Sequence, residues 1–176
     1  MIALVIGGTR SGKSEWAEML AARSNKSVIY IATGTSNADD PEWQARIQQH
    51  RDRRSDRWQT LEVSIDLAQA LKSAPPDTYL LVDSIGTWLA NLIEQDLETW
   101  QQTVQEFFAA VKACQVDVTF VAEEVGSGVI PAYALGRLFR DRLGSLNRQL
   151  GSIADVVYLV TGGHALNLSI LGEKLN

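Results

Sequence analysis

Ile2-Ala3-Leu4-Val5-Ile6-Gly7-Gly8-Thr9-Arg10-Ser11-Gly12-Lys13-Ser14 is the stretch whose reading decides the fold. Ile2 to Ile6 form an apolar run long enough for one buried strand. Gly7, Gly12, Lys13 and Ser14 then fit G-x-x-x-x-G-K-[ST] without a gap. In residues 15–23, Trp16, Ala17, Leu20 and Ala21 recur at helical spacing. Strand, glycine loop and helix in that order turn the pattern into a site. A chance glycine-rich turn before a helix would have to produce both flanks by coincidence.

Physical chemistry gives each position a task. Glycines let the backbone curl with its N–H groups pointing inward, around a phosphate. The helix that follows adds its unpaired N-terminal N–H groups and the positive end of its dipole. Lys13 is expected to reach the β- and γ-phosphates, and Ser14 to ligate Mg²⁺ through its hydroxyl. The chain therefore reads as a nucleoside triphosphate binder.

Working outward, 176 residues suit one domain, 1–176, with a full core. A hydrophobic share of 45% makes the chain globular and not disordered. The net charge of −5, from 16 basic and 21 acidic residues, argues against nucleic acid as a partner. The single cysteine, Cys114, excludes an internal disulfide, and with two histidines it leaves too few soft ligands for an ordinary structural zinc site. No apolar run reaches membrane-spanning length, and no basic segment precedes a hydrophobic one at the start. The expectation is a cytoplasmic protein without a membrane span.

Residues 27–32 read as a second apolar strand, followed by the polar loop 33–40. Asp40-Pro41 opens a helix over 41–54, with Asp as N-cap and Pro in the first turn. On that helix Trp43, Arg46, Ile47, His50 and Arg54 share one stripe. Arg51, Arg53 and Arg57 add positive charge around it. A lone histidine on such a face is more often a packed core residue, and arginine runs more often decorate a solvated helix. Against that, arginines suit phosphate oxygens, and nearby positive charge favours neutral, nucleophilic imidazole. The pattern leaves both roles of His50 open.

A short strand over 58–63 carries Glu62, and a short helix spans 65–72. Tyr79-Leu80-Leu81-Val82-Asp83 is a buried strand ending in a carboxylate, the Walker-B pattern, with Asp83 placed to hold Mg²⁺. Asp83 as a cap of the next helix is the competing role. Helices are expected over 87–94, 98–113 and 132–151, and strands over 116–122 and 156–161. His164 in the glycine loop after the last strand reads as a residue making a local hydrogen bond. Strands alternating with helices give a mostly parallel α/β sheet covered on both faces.

Taken together, the ordered motifs resemble the bifunctional adenosylcobinamide kinase / adenosylcobinamide-phosphate guanylyltransferase family of cobalamin biosynthesis. They are Gly7 through Ser14, Tyr30-Ile31-Ala32-Thr33, Arg46-Ile47-Gln48-Gln49-His50-Arg51 with Trp58 and Glu62, and Leu81-Val82-Asp83 with Thr87-Trp88-Leu89 and Asn91-Leu92. Glu124-Val125-Gly126-Ser127-Gly128-Val129-Ile130-Pro131 and Phe139-Arg140-Asp141 with Gly144 and Asn147 complete the set. Glu123 departs from it, standing where the family pattern has Asn.

The resemblance implies a RecA-like P-loop NTPase fold, Mg²⁺, ATP and GTP as substrates, and a homotrimer. It implies phosphorylation of adenosylcobinamide, then transfer of GMP from GTP to adenosylcobinamide phosphate through a histidine–GMP intermediate. The histidine falls on His50, with Lys13 as the other catalytic residue. Nucleotide contacts carry over to Gly7, Gly8, Thr9, Arg10, Ser11, Gly12, Lys13 and Ser14, to Thr33, Gly34 and Thr35, to Arg51, Asp52, Arg53 and Arg54, and to Glu62 and Asp83. Metal ligation carries over to Ser14 and Asp83. The chain has no N-K-x-D base-reading motif, since Asn25-Lys26 is followed by Ser27-Val28. Two other functions fit the same phosphate loop: a different small-molecule P-loop kinase with a structural His50, and a non-enzymatic nucleotide-dependent switch.

Overall fold

The computed structural model describes residues 1–34, 57–128 and 130–175. Seven strands form one sheet: β1 (Ile2–Gly7), β2 (Ser27–Ala32), β3 (Gln59–Glu62), β4 (Thr78–Asp83), β5 (Asp117–Glu123), β6 (Val156–Thr161) and β7 (His164–Asn167). Six described helices join them: α1 (Lys13–Arg23), α2 (Leu67–Lys72), α3 (Ile85–Asn91), α4 (Leu97–Ala113), α5 (Ala134–Ile153) and α6 (Leu168–Leu171). The helix expected over 41–54 lies outside the described residues.

The strand order is β3-β2-β4-β5-β1-β6-β7. Every neighbouring pair is parallel except β6 with β7. Parallel strands buried on both faces read as unbroken apolar runs, and this is why β1 and β4 were legible. Alternate residues of each strand enter opposite cores. Leu4, Leu80, Val82, Val118 and Phe120 join the side chains of α2 through α5 on one face. Val5, Tyr79, Leu81 and Val121 join Ala17 and Ala21 of α1 on the other. The first core is centred on aromatic rings: Phe107 meets Trp88 at 4.9 Å and Phe120 at 5.7 Å between centroids. The Trp88 indole N–H donates to the Ile65 carbonyl at 2.8 Å, so the ring is buried without an orphaned donor.

The two ends of the sheet differ in what their charges do. At the amino end, the Asp117 carboxylate accepts from Lys26 Nζ at 2.8 Å and from the Met1 ammonium at 2.7 Å. Those bonds hold its carboxyl below the usual carboxylate range. The carboxyl end carries the site. From β1 the chain crosses β5 and β4 to reach β2, whereas from β5 it crosses β1 in the other direction to reach β6. The sheet therefore reverses its winding beside β1, and the crevice at such a reversal is where open α/β sheets bind ligands.

Several boundaries differ from expectation. Helix α3 starts at Ile85, two residues before the expected start, because Ser84 is its cap: the Ser84 hydroxyl accepts from the Thr87 N–H at 3.2 Å. Asp83 is therefore not the cap, and that competing role falls. Helix α5 runs from Ala134 to Ile153 and not over 132–151. Strand β7 was not expected. Gly162 and Gly163 both have positive φ, at 55° and 76°, which suits a tight two-residue hairpin turn from β6 into β7.

Candidate active site

Strand β1 delivers the chain to Gly7 at the reversal point. A Cβ on Gly7 would lie 2.5 Å from Ser11 Oγ and 2.6 Å from the Val160 carbonyl, so the loop closes only on glycine. Arg10 and Gly12 take positive φ, at 57° and 92°. The Ser11 N–H returns to the Gly8 carbonyl at 3.3 Å, and the Trp16 N–H opens α1 on the Gly12 carbonyl at 2.9 Å. Gly8 differs from Gly7: open space surrounds the position its Cβ would take.

Lys13, the first residue of α1, is only 5% exposed. Its Nζ donates to the Gly8 carbonyl at 3.3 Å, which folds the ammonium back over the loop. Ser11 Oγ is buried and has no hydrogen-bond partner among the described residues. A buried hydroxyl without a partner calls for an explanation, and a phosphate oxygen in the loop would supply one.

Two strands away, Asp83 ends β4. Tyr30, from β2, donates its hydroxyl to Asp83 Oδ2 at 3.0 Å. Thr33 ties into the same strand end: its N–H donates to the Asp83 carbonyl at 3.2 Å, and its hydroxyl donates to the Ser84 carbonyl at 2.7 Å. The Ser84 N–H donates back to that hydroxyl at 2.8 Å. Asn91, from α3, donates to the Thr33 carbonyl at 2.8 Å and the Ser64 carbonyl at 3.0 Å. Thr33 is fully buried, so its hydroxyl binds the β2 and β4 ends together, and Gly34 follows it at the same edge.

Glu123 ends β5, between Asp83 and the phosphate loop. In register it sits opposite Gly7. Its Oε2 accepts from the Gly86 N–H at 3.0 Å, while its carbonyl accepts from Asn147 Nδ2 of α5 at 3.0 Å. Glu124 turns into its own loop, accepting from the Gly126 N–H at 2.9 Å and the Ser127 hydroxyl at 3.2 Å.

The sheet thus brings Gly7 through Ser14, Thr33, Gly34 and Asp83 to one edge. Glu62 ends the edge strand β3, opposite Ala32. At the usual strand spacing it lies four strands, roughly 19 Å, from Gly7, so one phosphate group cannot touch both. Thr35, His50, Arg51, Asp52, Arg53 and Arg54 lie outside the described residues. His164 makes the local contact expected of it, Nδ1 to the Gly162 carbonyl at 2.9 Å, from the first residue of β7. Sequence reasoning did not single out the Tyr30 hydroxyl or the Ser84 cap. The first carried no signal, because 53 residues separate Tyr30 from Asp83. The second did: a serine just after a buried strand is a common helix start.

The donors expected at Ser14 and Asp83, a hydroxyl and a carboxylate, are compatible in chemistry with a magnesium ion. Mg²⁺ takes hard oxygen donors, is usually bound by one or two protein ligands, and completes its shell with phosphates and water. The Asp83 carboxylate meets that description at a strand end, with one oxygen oriented by Tyr30.

A likeness in fold alone links the chain to an ATPase from the type III secretion system of pathogenic bacteria, at TM-score 0.60 and 11% identity over 97% of this chain and 52% of that one. The α/β phosphate-loop fold expected from the sequence is the fold observed. By sequence the chain is 38% identical to the bifunctional adenosylcobalamin biosynthesis protein CobU of Salmonella typhimurium, over 93% of this chain and 97% of that protein. It is 37% identical to the bifunctional adenosylcobalamin biosynthesis protein CobP of Pseudomonas aeruginosa, over 98% of each. The family model described as cobinamide kinase / cobinamide phosphate guanyltransferase matches residues 3–168, and the chain belongs to that family.

Proposed function

We propose that the chain carries out both reactions of its family: phosphorylation of adenosylcobinamide with ATP or GTP, then transfer of GMP from GTP to adenosylcobinamide phosphate. The observation that carries this is the phosphate loop at the sheet's reversal point, with Lys13 buried over it and the Ser11 hydroxyl without a partner among the described residues, in a chain of this family. In the first reaction the loop N–H groups and Lys13 hold the triphosphate and meet the charge that develops on the transferred phosphoryl group. Ser14 and Asp83 would hold Mg²⁺, which would supply positive charge against the phosphates.

In the second reaction neutral His50 attacks the α-phosphorus of GTP, a nitrogen–phosphorus bond forms and pyrophosphate leaves. The phosphate oxygen of adenosylcobinamide phosphate then attacks the same phosphorus and releases the imidazole. Arg51, Arg53 and Arg54 supply the charge that stabilises both displacements. Thr35, Asp52 and Glu62 complete the nucleotide contacts. A cytoplasmic location matches the supply of ATP and GTP. A homotrimer would cover apolar side chains that stand exposed here, among them Tyr133, Leu135 and Ile170; its mass by analytical ultracentrifugation tests that part.

The deciding experiment uses α-labelled GTP with Mg²⁺, followed by denaturation. Acid-labile, alkali-stable label on wild type, absent from His50→Ala, is the expected result. His50→Ala should still phosphorylate adenosylcobinamide, since that transfer goes directly from the γ-phosphate to a hydroxyl. GMP transfer at the wild-type rate in folded His50→Ala overturns the covalent mechanism. Phosphoryl transfer with no covalent label in wild type points instead to an ordinary small-molecule kinase.

A further inference from the structure

Glu123 lies where two halves of the site meet. Strands β4 and β5 pair up to Asp83 opposite Val121. Beyond that point the ladder ends, and the Gly86 N–H donates across the gap to Glu123 Oε2 at 3.0 Å. On its other side the same residue faces the phosphate loop: Gly7 is its partner in register, and the next N–H, of Glu124, donates to the Gly7 carbonyl at 2.9 Å. Asn147 holds the Glu123 carbonyl from α5. The carboxylate also explains a glycine. A Cβ on Gly86 would overlap Glu123 Oε2, so the first turn of α3 carries glycine where the acid docks.

We propose that Glu123 is a positioning residue for the metal–nucleotide site: by binding Gly86 it fixes the Asp83 end of β4 against the phosphate loop. This rests on Asp83 as a magnesium ligand, as read above. Asp83 is then held from both flanks. Tyr30 bonds its carboxylate from the β2 side, and Glu123 bonds the chain three residues beyond it from the β5 side. The role needs a hydrogen-bond acceptor at position 123 and not a negative charge, which separates it from proton transfer.

The test measures GTP affinity of the whole chain by calorimetry, once in EDTA and once in excess Mg²⁺. The ratio of the two is the gain due to the metal. Partners outside the ligand shell are typically worth on the order of 10–100-fold in metal affinity, so Glu123→Ala should lose about tenfold or more of that gain. Affinity in EDTA should not change. Glu123→Gln keeps an acceptor for Gly86 and should stay close to wild type. Gly86→Ala displaces the carboxylate at its flexible end and should repeat the Glu123→Ala loss. It also carries the test should Glu123→Ala fail to fold, because alanine suits a helix better than glycine. A wild-type gain in Glu123→Ala, or Glu123→Gln as impaired as Glu123→Ala, overturns the positioning role. Asp83→Asn, run in parallel, distinguishes the two levels. If it keeps the metal gain, Asp83 is not the ligand; if it loses the gain while Glu123→Ala keeps it, only the positioning role falls.

Discussion

The phosphate loop and the Asp83 end of β4 share one sheet edge, with only β5 between their strands, yet they are built in opposite ways. The hydrogen bonds that fold residues 8–16 into the loop and the start of α1 are local. Ser11 and Lys13 bond Gly8, and Trp16 bonds Gly12. Asp83 is shaped from far away, by Tyr30 at a separation of 53 residues and by the Gly86–Glu123 bond, whose two partners are 37 residues apart. A site made of backbone needs particular residues at fixed spacing, so it can be read along the chain. A site made of side chains from neighbouring strands can be read only after the strand order is known.

If that contrast holds, damage inside the loop should be large and shared by every reaction that uses a triphosphate. Lys13→Ala removes the buried ammonium that folds over Gly8. Losing one such charge stabiliser typically costs on the order of 10²–10³ in rate. Phosphorylation and GMP transfer, assayed separately, should both fall by about that factor. A mutant that loses one reaction and keeps the other would mean that the two do not share the loop.

The same contrast accounts for what was legible. The strand order was not read from the sequence, but the phosphate loop, the apolar strands and Asp83 at a strand end were, because each is a local pattern. Thr33 was expected at the nucleotide. The structure gives its hydroxyl two backbone partners on Ser84, and those arise only because β2 lies beside β4. Helix α3 starts at Ile85, two residues before the expected 87, and the glycine in its first turn, Gly86, has its reason in another strand, where the Glu123 carboxylate takes the place of a side chain. The β6–β7 hairpin was a different kind of miss. Gly162-Gly163 is a local turn signal, and the polar, half-exposed alternation of His164-Ala165-Leu166-Asn167 was too short to stand out beside the apolar strands.

A smaller effect tests the remote side. Tyr30 is 4% exposed, and Tyr30→Phe keeps the packed ring while removing the hydroxyl that donates to Asp83. A partner of this type is typically worth on the order of 10-fold in metal affinity. The mutant should need about tenfold more Mg²⁺ for half-maximal phosphorylation and recover near wild-type turnover when the metal is raised. Unchanged Mg²⁺ dependence would make the Tyr30 bond a packing detail and weaken the claim that the edge is assembled from a distance.

The smallest expected effect separates the helix cap from the metal site. Ser84 follows Asp83 directly, yet its hydroxyl serves α3: it accepts from the Thr87 N–H and lies 3.0 Å from the Thr87 hydroxyl. Ser84→Ala leaves the Thr33 contacts in place, because those use the Ser84 backbone. Loss of a serine cap typically costs about 1 kcal/mol. For a chain of this size that lowers the melting temperature by roughly 2–4 °C. The Mg²⁺ dependence should stay at the wild-type value, since the oxygen removed is committed to the helix. Differential scanning calorimetry and a magnesium titration of phosphorylation, run on one preparation, check both halves. A drop in melting temperature alone places the division between fold and chemistry between Asp83 and Ser84. A magnesium requirement that rises in Ser84→Ala would put the hydroxyl in the metal's surroundings, and the two adjacent residues would then share one task.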